Sequence, residues 1–89
     1  MLVSDIISPK ISSRNAVKIE QEANKFKASV WISYNDHHAN AKSLLGILSL
    51  GIEAGNKIKV IADSDDEKEE YKSLEAISNL IENNFEEEN

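Results

Sequence analysis

Apolar residues recur along the chain in two distinct periods, and each change of period marks an element. Residues 2–7 are short, apolar and rich in β-branched types, and Pro9, which has no N–H to give to a ladder, closes them. They predict a first strand. From Arg14 to about Phe26, Ala16, Ile19, Ala23 and Phe26 return at three-and-four spacing with Lys18, Glu20, Gln21 and Glu22 between them, which predicts an amphipathic helix. "ASVWISY", Ala28 to Tyr34, has the branched and aromatic content of a strand. Asn35-Asp36 supplies residues that tolerate positive φ, so "HHANA" reads as the return strand of a hairpin.

The second half repeats this alternation of types. "SLLGILSLG" predicts a short helix with Ser43 as its N-cap, apolar Leu44, Leu45, Ile47 and Leu48, and Gly51 where a helix often stops. Gly46 weakens it from within. Gly55-Asn56 turns the chain into "KIKVIA", an alternating last strand. "SDDE", Ser64 to Glu67, has the form of a capping box, and its acids suit the positive end of a helix dipole. Tyr71, Leu74, Ile77, Ile81 and Phe85 keep helical spacing behind it. The order is β-α-β-β-α-β-α. So few residues interspersing strands and helices predict an α+β open-faced sandwich, one mainly antiparallel four-stranded sheet with the helices on one face.

Length and charge narrow the function. The 89 residues make a single domain, 1–89, and the acidic end "FEEEN" is expected to fray over 86–89. There is no cysteine, which excludes disulfides, zinc thiolates and cysteine nucleophiles and leaves a reducing cytoplasm as the expected setting. The opening "MLVSDIISPK" has neither the basic leader nor the apolar core of a signal peptide, and no apolar run approaches the ~20 residues that span a bilayer, so no membrane association is expected. Acids outnumber bases 16 to 10, for a net charge of -6, which opposes direct binding to nucleic acid. His37 and His38 are adjacent on a predicted strand and point to opposite faces, so they do not form one metal site. No metal and no cofactor are expected.

At "NAKSLLGILSLGI", Asn40 to Ile52, followed by "EAGNKIKVIA", the chain resembles the histidine-containing phosphocarrier (HPr) family of the bacterial phosphoenolpyruvate-dependent sugar phosphotransferase system. "QEANKFKASV" before it and Asp66-Glu67 after it fall in register, and the likeness covers nearly the whole chain. The family's active loop reads glycine, leucine or isoleucine, histidine, alanine, arginine, proline, alanine. Here these positions are Lys10, Ile11, Ser12, Ser13, Arg14, Asn15 and Ala16, and only Ile11, Arg14 and Ala16 agree. Ser12 therefore stands at the position of the phosphoryl-accepting histidine.

That exchange changes the chemistry. An imidazole has an unprotonated ring nitrogen at neutral pH, whereas a serine hydroxyl needs an adjacent base, and Lys10, Ser13, Arg14 and Asn15 offer none. Ser12 sits just before a helix, where its oxygen can cap an orphan N–H, and Arg14 beside that helix start suits an anion or a partner's carboxylate. The loop Ser12, Ser13, Arg14 thus reads as an anion or partner site without a covalent step. No catalytic residue is assigned, and the chain is not expected to be an enzyme.

The resemblance implies further that Ser43 is the regulatory serine phosphorylated by HPr kinase. It implies that Leu44, Ile47 and Leu48 of the following helix meet a catabolite-control transcriptional regulator. A preserved regulatory serine beside a lost histidine is similar to the catabolite-repression paralogue within the family, although that paralogue carries a different residue at the lost position. Two rivals stay open: a component that binds phosphotransferase-system enzymes without relaying, or one using another acceptor such as a histidine; and a small interaction domain with no tie to sugar transport.

Overall fold

The computed structural model describes residues 1–86. Four strands, β1 (Leu2–Ile7), β2 (Ser29–Tyr34), β3 (His37–Asn40) and β4 (Lys57–Asp63), form one antiparallel sheet in the order β1-β4-β2-β3. Three helices, α1 (Ser13–Ala23), α2 (Leu44–Ser49) and α3 (Glu67–Glu82), complete the β-α-β-β-α-β-α order. This is the α+β open-faced sandwich that the periodicity predicts.

Strand alternation decides which side is covered. Ile6, Val30, Ile32, Ile58, Val60 and Ala62 point to the helices and are at most 4% exposed, joined there by Ile19, Ile47, Ile77 and Ile81. Each such branched side chain contributes about 1.5–3 kcal/mol by leaving water. The opposite face lies open, with Val3, Ile61, Trp31 and Asn40 in one row across all four strands. Asn35 (φ 51°) and Asp36 (φ 64°) make the two-residue turn of the β2–β3 hairpin, the primed geometry that matches strand twist. Gly51 takes φ 61° one residue past the α2 C-cap, Leu50, so the helix ends where the glycine predicts.

Three boundaries and one buried face differ from the sequence reading. α1 stops at Ala23 rather than Phe26: the Asn24 side chain donates to the Glu20 carbonyl at 2.8 Å, and the N–H groups of Lys25 and Phe26 turn back to Glu22 and Ala23. The N-cap of α3 is Asp66, whose Oδ1 accepts from the N–H groups of Lys68 and Glu69, and not Ser64. Ser64 instead accepts from the Asp66 N–H and donates its own N–H to Glu70. Tyr71 is 59% exposed and lies off the buried face, which is completed by Glu70 and Ser73. Phe85 is buried but stands beyond the helix at φ 62°, its N–H reaching back to the Leu80 carbonyl. Of the tail expected to fray, Glu86 is exposed and residues 87–89 lie outside the described ones.

Candidate functional site

The loop between β1 and α1 is fastened by main-chain bonds to the turn before β4. The Ser8 N–H donates to Asn56 at 2.8 Å, Gly55 donates to Ser8 at 2.8 Å, and Ile11 donates to Ile52 at 3.1 Å. Ile11 is buried, so the loop has an apolar anchor directly before Ser12. Ser12 is extended (φ -73°, ψ 172°) and its Oγ accepts from the Asn15 N–H at 3.2 Å, the N-cap expected of it. Asn15 also donates its side-chain amide to the Lys10 carbonyl at 3.1 Å.

Ser12 and Asn15 are therefore a matched pair. The cap bond requires an N–H at position 15, which a proline there would lack. A serine at 12 and a non-proline at 15 make sense together, a link that the sequence reading missed because it took the two positions separately. Ser13 and Arg14 are exposed beside this cap. His37 and His38 are exposed on β3, the edge strand that two strands separate from β1. Among the described residues no cluster of three or more histidines or carboxylates is placed to hold a metal.

Ser43 caps α2: its Oγ accepts from the Gly46 N–H at 3.1 Å, while its carbonyl accepts from Ile47 at 3.0 Å. A Cβ on residue 46 would come within 3.2 Å of that Oγ, so the glycine that weakens the helix also leaves room beside the hydroxyl. Ser43 is half-buried. Leu44 and Leu48 are half-buried against the core, and Leu45 is 80% exposed.

Ile47 is corrected here. It is 1% exposed and belongs to the core, so it supports the helix from beneath and has no surface to offer a partner. Leu45 replaces it. The signal was available, because Leu44, Ile47 and Leu48 share the inward face and leave Leu45 with Ser49, four residues on, pointing out. α1 packs on α2, which brings the Ser12–Arg14 cap and the Ser43 cap to neighbouring elements. A polar groove of about 500 Å³ between α1 and α3, lined by Lys18, Gln21, Lys25, Asn79 and Asn83, touches neither serine. No helix among the described residues is long and apolar enough to cross a membrane.

Comparison with known proteins agrees with this geometry. The family model PTS-HPr, described as the "PTS HPr component phosphorylation site", matches residues 8–83. The chain is 35% identical over 66 residues to the HPr-like protein Crh of Bacillus subtilis, covering 74% of this chain and 78% of that one. Identity to the phosphocarrier protein HPr of Neisseria meningitidis is 34% over 75 residues, 84% and 81% of the two chains. Among solved structures, HPr-C-His from Thermoanaerobacter tengcongensis superposes over the full length of both chains, with a TM-score of 0.86 and 35% identity.

Proposed function

We propose that this chain, which belongs to the HPr family of phosphotransferase-system phosphocarriers, is a regulatory member that does not relay phosphate through its active loop. Ser43 takes a phosphoryl group from an HPr kinase, and the modified α2 binds a catabolite-control transcriptional regulator through Leu44, Leu45 and Leu48. The setting is the cytoplasm. The observation that carries this reading is the contrast between the two serines. Both hydroxyls accept from the N–H three residues on, but Ser12 does so in a loop with no adjacent base, whereas Ser43 is flanked by Gly46 and has the exposed Leu45 two residues on.

The chemistry of each follows. At Ser43 the hydroxyl oxygen attacks the γ-phosphorus of ATP, its proton passes to a base on the kinase and ADP leaves. The phosphoserine adds about -1.5 to -2 charge beside backbone N–H groups and polar space rather than in the core. At Ser12 a phosphoester, even if made, is a poor donor to another protein, unlike the phosphoramidate of a histidine.

The test exposes the protein separately to HPr kinase with ATP and to the phosphoenolpyruvate-dependent first enzyme, with intact mass and fragment sequencing as readout. Phosphate on Ser43 from the kinase alone is the expected result. Label on Ser12, His37 or His38 from the second enzyme would restore a carrier and overturn the reading. Regulator binding is then compared between the phosphorylated protein and Ser43→Ala, and equal affinity would refute the co-repressor role. The exposed Arg14 favours a second reading, a non-relaying partner of the phosphotransferase-system enzymes, which competition with an ordinary HPr for the first enzyme would reveal.

A further inference from the structure

A single peptide group, the one joining Phe26 to Lys27, is gripped from both sides by charged side chains distant in sequence. Its carbonyl oxygen accepts from Lys42 Nζ at 2.7 Å. Its N–H donates to Glu69 Oε1. A cation on the acceptor and an anion on the donor polarise the group in the same sense, so each bond strengthens the other. The peptide lies in the link between α1 and β2, where the turn bonds from Asn24, Lys25 and Phe26 run back to α1. Lys42 immediately precedes Ser43, and Glu69 lies in the first turn of α3. One peptide thus ties the entrance of α2 to the start of α3.

We infer that this grip is a switch thrown by charge at Ser43. The inference rests on the phosphorylation proposed above and names its internal consequence. A phosphate on Ser43 offers the neighbouring Lys42 ammonium an ionised acceptor in place of a neutral carbonyl, so that both partners of the bond carry charge. The four-carbon stem of Lys42 lets the ammonium turn while the backbone stays, held by the Lys42 N–H to Asn40 Oδ1 at 2.8 Å. Once Lys42 turns, the Phe26 carbonyl loses its cation and the Lys27 bond to Glu69 loses its polarising counterpart. The link between α1 and β2 then opens more often, and the change reaches the first turn of α3 without any movement of α2. The phosphate shifts the equilibrium because it binds Lys42 only in the released arrangement.

Amide hydrogen exchange of Lys27, read by NMR, tests this directly, with phosphoserine placed at position 43 during synthesis so that no kinase is needed. Exchange at Lys27 is expected to be several-fold faster in the phosphorylated chain. Lys42→Met should speed it similarly without phosphate, and phosphorylating that variant should add nothing. Amides of Val30 and Ile32 in β2 serve as the internal reference that each variant is folded. Equal Lys27 exchange with and without phosphate would overturn the switch, as would a further rise on phosphorylating Lys42→Met. Failure of the kinase to label Ser43 would instead remove the functional reading and leave this measurement standing.

Discussion

At the scale of single residues two of the four departures from the family loop, Ser12 and Asn15, explain each other. Ser12→Ala is expected to cost about 1 kcal/mol, the ordinary loss of a serine N-cap. Asn15→Pro removes the donor that this cap uses, in a first helical turn where proline is otherwise tolerated. The double variant should therefore cost less than the two single ones together, with a coupling of about 1 kcal/mol in a denaturation cycle. Strictly additive losses would mean that the Ser12–Asn15 bond carries no energy. The buried Ser78 makes the opposite case. Its Oγ is the one buried side-chain polar atom without a partner among the described residues. An unpaired buried hydroxyl costs about 1–3 kcal/mol, so Ser78→Ala should stabilise the fold by about 1 kcal/mol, read as a higher urea midpoint. A lower midpoint would show that the hydroxyl is satisfied after all. Neither feature is legible in the sequence. The cap at Ser12 follows from position, but its partner's N–H matters only once the bond is seen, and Ser78 sits in a helical run that gives no sign of which serines face inward.

At the scale of elements, strands were more legible than helix ends. Branched and aromatic content located β1 and β2, and alternation β4, to within a residue, because a half-buried pleated surface favours those side chains and that period. Helix ends depend on which of several adjacent polar groups wins a backbone N–H, and "SDDE" offers three candidates in a row. Asp66 wins because Ser64 is drawn to the Asp66 N–H and its own N–H is taken by Glu70. Glu69, three residues after Asp66, would complete a box in the Asp66 register but is turned outward to Lys27. The consequence is measurable. Asp66→Ala should lower stability by about 1 kcal/mol, and Ser64→Ala by less, since its oxygen makes a local turn bond rather than the cap. The reverse order would return the cap to Ser64. In α2 the same distinction between face and end separates Ile47, which the core claims, from Leu45, which it cannot reach.

At the scale of the whole molecule, chain segments far apart in sequence converge on Glu70, whose carboxylate is only 10% exposed. The Ser64 N–H donates to it at 3.0 Å, and the Met1 ammonium approaches it at 3.2 Å while also lying 3.6 Å from Asp63. The Ser64 N–H, foremost, and then the Met1 ammonium hold the Glu70 pKa below its ordinary value of 4.5, against a burial that pushes it up. The folded chain thus favours the ionised carboxylate more than the unfolded chain does. Its contribution is fully present above the unfolded value and fades as pH falls from about 4.5 through the lower folded value. Glu70→Gln keeps the shape and removes the charge. The variant should be less stable than the parent at neutral pH, and the gap should close as pH falls through that window, because the parent alone loses this term. Everything else the two proteins share largely cancels from the difference. Urea unfolding of the two chains between about pH 7 and about pH 3 provides the check. Two curves that run parallel down to the acid limit would show that the contacts joining the first residue, the β4–α3 turn and α3 do not depend on the ionised form of Glu70.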